Sequence, residues 1–145
     1  MFRKETEYAL RSLIYIQVQN LSNTTPGILE IASEIGTPKP FTAKILQRMV
    51  KNGFIESIKG KNGGFVFNKN KPDLTLKDVI YSIEGDDIYS RCGLGLSTCN
   101  DTCQCPIHES FSEIREATEK LISEETIQRL AKKKSTLVEI VLNRI

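Results

Sequence analysis

All four cysteines and the single histidine of this 145-residue chain lie in one segment, residues 91–110. Thiolates and imidazole are the side-chain ligands with which proteins hold zinc and iron–sulfur clusters. Outside this segment no pairing of a nucleophile with a base stands out, so an enzyme is not expected. The sequence predicts a metal site, and its candidate ligands are Cys92, Cys99, Cys103, Cys105 and His108.

The expected compartment favours metal binding over disulfide bonds. Glu5, Glu7 and Arg11 interrupt the apolar residues at the start of the chain, which is not the pattern of a signal peptide. The chain has no apolar run near the roughly 20 residues that span a bilayer. We therefore expect a cytoplasmic protein without a membrane partner, in which clustered cysteines bind metal more often than they form disulfides.

The spacing of the ligands favours a cluster over a single ion. The gaps are six, three, one and two residues, whereas zinc modules usually pair cysteines two to four residues apart. A zinc site of Cys99, Cys103, Cys105 and His108 remains the alternative, and a reactive dithiol of Cys103 and Cys105 is a third interpretation. Long, uneven gaps suit an iron–sulfur cluster, whose irons need ligands from several directions.

The elements before this segment predict a helix-turn-helix followed by a hairpin. Apolar residues recur at helical spacing over residues 6–18 and 28–35, and Gly36 is placed to cap the second helix. A third helix begins near Pro40 and ends at Gly53, with Phe41 in its predicted apolar stripe. Two β-prone segments, residues 54–58 and 65–67, then enclose a turn with exposed Lys59, Lys61 and Asn62.

The net charge differs in sign along the chain. Residues 1–80 have a net charge of +5, residues 81–125 of −7, and residues 126–145 of +4, within a total of +2. A basic first part with a helix-turn-helix and a lysine-rich hairpin favours binding to nucleic acid.

The region after the cysteines predicts a helix that pairs with a second copy. Before the cysteines, Thr75 and Asp78 form a capping box for a helix that ends at Gly85. After the cysteines, Pro106 opens a longer helix. On the long helix, apolar residues step by four and three as in a dimeric coiled coil. A further helix is predicted from Ser123, and the apolar residues 137–142 are compatible with helix or strand. The seam consists of Ile107, Phe111, Ile114, Thr118 and Leu121.

Together these segments resemble the Rrf2 family of bacterial transcription regulators. The resemblance runs from TEYALRSLIYI through LEIASEIGTPKPFTAKILQRMVKNGFIESIKGKNGGF and LTLKDVIYSIEG to the cysteine segment. It implies a winged-helix homodimer that binds a palindromic double-stranded DNA operator. It also implies a 2Fe–2S cluster in the loop before a long dimerisation helix.

The resemblance implies a ligand set as well. The family cysteines match Cys92, Cys99 and Cys105, and Cys103 is additional, either a bystander or a substitute ligand. The fourth ligand is a histidine matching His108 in the iron–sulfur assembly regulators. In the nitric-oxide sensors it is instead an acid from the other subunit, and Glu7 occupies that position here. Both remain open, with His108 preferred.

The DNA-binding residues implied by the resemblance lie in the third helix and the hairpin. Thr42 and Lys44 are expected on the exposed side of the recognition helix. In the wing, Lys59 and Phe65 replace the arginine and tyrosine common in the family, and lysine lacks the planar fork useful in a minor groove. The full set is Lys39, Pro40, Phe41, Thr42, Lys44, Lys59, Lys61 and Asn62.

These observations predict a mainly α fold with a small β-hairpin wing. We expect a winged helix-turn-helix DNA-binding domain in residues 1–85, a cluster-binding loop in 86–108, and a dimerisation helix with a C-terminal tail in 106–145. The function expected is transcription regulation controlled by a 2Fe–2S cluster. The alternative is a zinc- or cluster-binding module that contacts a protein partner instead of DNA.

Overall fold

The structure, a computed structural model, describes residues 1–133. Within that range it contains six helices and one two-stranded antiparallel sheet. The apolar residues 137–142 lie outside the described residues. In chain order the elements are α1 (Lys4–Leu21), α2 (Ile28–Ile35), α3 (Lys39–Lys51), β1 (Glu56–Ile58), β2 (Gly64–Val66), α4 (Leu76–Glu84), α5 (His108–Glu124) and α6 (Ile127–Ala131).

The core forms around α1, which contacts α2, α3, α4, α6 and β2. Ala9, Leu13 and Ile16 of α1 are fully buried. They pack in one apolar cluster with residues such as Ile31 of α2 and Leu46 of α3. Burial of this shared apolar surface fixes the helix-turn-helix on the rest of the molecule.

The turn between α2 and α3 is closed by backbone geometry and a pair of hydroxyls. Gly36 ends α2 in the left-handed region (φ 68°, ψ 44°), so the predicted glycine cap is confirmed. The Thr37 and Thr42 hydroxyls lie 2.5 Å apart, and Thr42 Oγ1 donates to the Pro38 carbonyl. These bonds satisfy two buried hydroxyls and hold the first turn of α3 against α2.

The exposure predicted for Thr42 is wrong. Thr42 is fully buried, because it lies three and four residues before Ile45 and Leu46 and therefore shares their inward helical face. The place of Phe41 in the buried stripe is also wrong. Its side chain is 36% exposed and meets the Tyr8 ring edge-on at 5.7 Å.

The hairpin is confirmed, with a first strand shorter than predicted and a second strand of the predicted length that begins one residue earlier, at Gly64. Glu56 pairs with Val66 and Ile58 with Gly64, which leaves residues 59–63 as the loop at its tip. The hairpin is tied to the segment between α1 and α2, because the Phe65 N–H donates to the Pro26 carbonyl at 2.9 Å. The wing therefore has a fixed seat on the helical body.

The later helices confirm one predicted boundary and correct another. The capping box of Thr75 and Asp78 is present, and α4 ends at Gly85. The predicted helix start at Ser123 is wrong, because α5 continues to Glu124 and α6 begins after Thr126. The break occurs because Thr126 forms a β-bridge with Thr75 and its hydroxyl accepts the N–H of Arg129. This bridge returns the end of α5 to the body formed by α1 and α4.

Candidate metal centre

Three thiols converge where the loop after α4 meets the start of α5. The Sγ atoms of Cys92, Cys99 and Cys105 all lie within 4.8 Å of one another. The Sγ atoms of Cys92 and Cys105 are 3.6 Å apart. Two thiolates bound to one tetrahedral ion at about 2.3 Å would be about 3.8 Å apart, so this pair is spaced to share a metal.

His108 stands beside the third thiol. It is the first residue of α5, and its Nδ1 lies 3.2 Å from Cys99 Sγ. Its Nε2 faces the carboxylate of Asp101 at 3.5 Å. The four groups thus form two pairs, Cys92 with Cys105 and Cys99 with His108, around one small cavity.

The two alternative ligands lie elsewhere. Cys103 is exposed, and it exchanges two backbone hydrogen bonds with Asn100 in a tight turn. Glu7 is in the first turn of α1 and forms an ion pair with Lys4 at 2.9 Å. That hydrogen-bonded lysine lowers the pKa of the Glu7 carboxyl. Neither residue belongs to the three-sulfur group within residues 1–133.

Local backbone groups prepare Cys92 to bind metal. Hydrogen bonds from the N–H groups of Leu96 and Leu94 lower the pKa of its thiol to about 7. The pKa of Cys99 is raised. The backbone N–H of Cys105 lowers the pKa of Cys99, but burial and the neighbouring sulfur atoms together raise it by more. The thiolate is the metal-binding form, so Cys92 is more readily available for metal than Cys99 at neutral pH.

Residues without a ligand motif complete the cavity, and sequence reasoning missed two of them. Gly93 packs so closely that a Cβ would lie 3.1 Å from the Phe111 ring. Arg115 also lines the cavity. In the sequence it could have been singled out as a basic residue within a strongly acidic region. The lining residues are Cys92, Gly93, Cys99, Cys105, His108, Phe111 and Arg115.

The residues predicted to meet DNA form two exposed sets, with one exception. Lys39, Pro40 and Lys44 are exposed at the start of α3, beside the partly exposed Phe41. Lys59, Lys61 and Asn62 are exposed in the loop of the wing. Asn62 has φ +106° and accepts a hydrogen bond from Thr25 through its carbonyl oxygen. Thr42 is excluded from this surface by its burial.

Comparison with known proteins identifies the family. A family model described as an iron-dependent transcriptional regulator, Rrf2, matches residues 2–133. The chain belongs to the Rrf2 family. A protein of Aquifex aeolicus named as an HTH-type transcriptional regulator is 27% identical over 132 residues, which cover 90% of each chain. An rrf2-like HTH-type regulator of Rhodobacter capsulatus is 29% identical over 79% of this chain and 81% of its own.

Solved structures support the same fold. CymR (YrzC), the global cysteine regulator of B. subtilis, superposes with a TM-score of 0.76 at 20% identity, covering 93% of this chain and 98% of its own. T. potens IscR superposes with a TM-score of 0.69 at 15% identity, covering 94% of this chain and 90% of its own. The predicted winged-helix fold is confirmed, and the Rrf2 family makes the chain a transcriptional regulator.

Among residues 1–133, no helix has the length and apolar character needed to cross a bilayer.

Proposed function

We propose that this Rrf2 protein is a homodimer whose binding to a palindromic DNA operator depends on a 2Fe–2S cluster. The observation that carries the proposal is the convergence of three thiols within 4.8 Å, in a chain whose family is described as iron-dependent. The ligands proposed are Cys92, Cys99, Cys105 and His108.

The donor set suits such a cluster. Three thiolates and an imidazole are ligands that iron–sulfur centres accept, and these four side chains meet at one site where they would hold the cluster. When bound, the cluster supplies a centre that can gain an electron or be lost. Cys92 and Cys99 come from the loop, whereas Cys105 and His108 adjoin α5, so binding ties the two segments together.

The DNA-binding surface proposed is the start of α3 with the tip of the wing, in a domain of residues 1–85. The N-terminal turns of a recognition helix contact base edges in the major groove, and Lys39 and Lys44 are exposed there. Lys59 and Lys61 carry positive charge to the tip of the wing, where they would contact phosphates.

The dimer contact proposed is the seam of α5, within residues 106–145. Ile107, Ile114 and Leu121 recur every seven residues and are 37%, 57% and 58% exposed in the single chain. A regular apolar stripe left open to water is the pattern of a helix that packs on a partner helix.

Cluster and operator would be linked through geometry. The cluster-binding loop, residues 86–108, joins the DNA-binding domain to α5, so cluster loss would change how the two recognition helices are placed. Half-sites lie about 34–36 Å apart or a multiple of that distance. A dimer with altered placement would therefore lose simultaneous contact with both half-sites.

The test begins with anaerobic purification and measurement of iron, sulfide, zinc and the visible spectrum. The proposal predicts iron and sulfide with iron-dependent visible bands, and tight binding of the holo protein to duplexes selected from a random pool. Apo protein should bind them more weakly at the same salt concentration. Zinc without iron, or equal binding by both forms, would contradict the proposal.

Matched substitutions assign the ligands. Cys92→Ser, Cys99→Ser and Cys105→Ser should each lose the cluster, whereas Cys103→Ser should retain it. His108→Ala and Glu7→Ala, compared separately, decide the fourth ligand. We expect a changed spectrum for His108→Ala and an unchanged one for Glu7→Ala.

A further inference from the structure

We propose that Arg115 is a positioning residue of the metal centre: it holds Cys92 against Cys105 and places a fixed positive charge beside the cluster. The first part concerns the protein without metal. The second part rests on the proposed function.

Arg115 binds the backbone immediately before Cys92. Its Nη1 donates to the carbonyl oxygens of Ser90 at 3.1 Å and Arg91 at 3.0 Å. Its Nη2 donates to Ser112 Oγ at 2.7 Å, which orients the guanidinium on α5. The planar fork of arginine suits this simultaneous contact, and a lysine ammonium cannot reproduce it.

The same side chain joins the two arms of the centre. Cys105 lies three residues before the first residue of α5, and its carbonyl oxygen accepts the His108 N–H at 3.0 Å, so its position follows that of the helix. Cys92 belongs to the segment that follows α4, which we call the incoming arm. Arg115 stacks over the Phe111 ring at 5.7 Å, and Gly93 packs against that ring. Arg115 and Phe111 therefore fix the incoming arm on α5 and bring the two sulfur atoms to 3.6 Å.

Charge gives Arg115 its second role. Residues 81–125 contain three basic side chains, Arg91, Arg115 and Lys120, against ten acidic ones. Arg91 is 71% exposed and pairs with Asp87, and Lys120 is exposed. Among the described residues that line the cavity, Arg115 is the only permanent cation. A cation beside a cluster favours its more negative, reduced form and so raises the reduction potential.

The first experiment uses metal-free full-length protein with Cys99→Ser and Cys103→Ser, which leaves two thiols. Equilibration with glutathione measures their effective concentration, because oxidised glutathione takes two electrons from the pair and leaves as two reduced molecules. Arg115→Gln and Arg115→Lys should each lower this concentration by roughly tenfold, comparable to the effect of losing an outer contact of a metal site. Lys120→Gln, with the same charge loss on the same helix, should leave it unchanged. Equal values in all variants would overturn the positioning role.

The second experiment measures the reduction potential of the reconstituted cluster with all four cysteines present. Arg115→Gln should shift it to a more negative value, and Arg115→Lys should stay closer to the parent because the charge is kept. An unshifted potential in Arg115→Gln would overturn the electrostatic role. A parent protein that takes up no cluster would instead refute the proposed function, and the glutathione measurement would still decide the positioning role.

Discussion

At the scale of single residues, the environment of Cys92 sets when its sulfur is reactive. Two backbone N–H groups donate to this sulfur and lower its pKa to about 7. A thiol with a lowered pKa is protonated below that value and becomes a thiolate above it. In the protein without metal, the Cys92 thiol should therefore lose its proton near neutral pH.

This predicts the pH dependence of alkylation. In apo protein treated with iodoacetamide, the rate of modification of Cys92 should rise through a midpoint near pH 7. For an ordinary thiol the midpoint is about 8.5. Peptide-resolved mass spectrometry across pH 5–10 measures it, with free cysteine as the reference. A midpoint equal to that of free cysteine would show that the two N–H groups do not act on the sulfur.

A second prediction concerns the buried hydroxyls of the helix-turn-helix. Thr42→Val keeps the shape of the side chain but removes the partner of the Thr37 hydroxyl, and an unsatisfied buried donor costs about 1–3 kcal/mol. The free energy of unfolding in urea should fall by about that amount. Thr42→Ser keeps the hydroxyl and should lose less. An unchanged stability in Thr42→Val, or a larger loss in Thr42→Ser than in Thr42→Val, would show that the hydroxyl bond does not stabilise the turn.

The three thiols that converge could be singled out from the sequence as candidate ligands, because a thiol carries its chemistry wherever it lies. The surroundings of Thr42 and Arg115 were harder to predict from the sequence. Thr42 was predicted to contact DNA because it is polar, although its spacing to Ile45 and Leu46 places it on the inward face; its buried hydrogen-bond partner, the Thr37 hydroxyl, lies across the turn. Arg115 acts on carbonyl groups 24 and 25 residues away in the chain, a contact that spacing along one helix does not contain.

At the scale of elements, the wing depends on glycines that let it approach the helical body. A Cβ on Gly64 would lie 2.3 Å from the Thr25 carbonyl oxygen and 2.6 Å from that of Pro26. Both are backbone atoms, so the clash can be relieved only by moving the hairpin or the segment before α2.

Gly64→Ala should therefore destabilise the protein and weaken DNA binding. We expect a loss of about 1–3 kcal/mol in unfolding free energy, as for other overpacked sites, together with reduced operator affinity in fluorescence anisotropy. Gly27→Ala is the matched control, since a Cβ there meets no atom within 4 Å. Unchanged affinity in Gly64→Ala would mean that the seat of the wing is not needed for binding.

Elements with strong local signals were predicted correctly, and those set by long-range pairing were not. Gly36 and the Thr75–Asp78 box mark helix ends through their own conformation. By contrast, the end of α5 depends on the bridge between Thr75 and Thr126, residues far apart in the sequence. Ser123 has the right residue type for a cap but lies within the last turn of the longer helix.

At the scale of the whole molecule, the apolar stripe on α5 and the charge distribution divide the surface into two regions for which we propose different partners. The basic part carries the predicted DNA contacts, whereas the stripe of Ile107, Ile114 and Leu121 lies within the acidic part. Repulsion between acidic helices would oppose association, so the proposed dimer would depend on the apolar contacts of α5.

Ile114→Glu should convert the protein to a monomer, because it places a charge in the middle of the proposed seam. Analytical ultracentrifugation should show half the parent mass, and binding to a palindromic duplex should fall to that of a single half-site. Ser123→Glu adds the same charge on the outer face of α5 and should remain dimeric. A dimeric Ile114→Glu would place the interface elsewhere.

The attachment of α5 at both ends gives the molecule a lever. One end begins at His108 beside the sulfur atoms, and the other is joined to α4 through the Thr75–Thr126 bridge. At 1.5 Å per residue, its 17 residues extend about 25 Å. A tilt of about 5° at one end displaces the other by about 2 Å, more than half of the 3.4 Å rise between stacked base pairs. Under the proposed function, cluster loss that tilts α5 by this angle would place the recognition helix out of register with the base pairs.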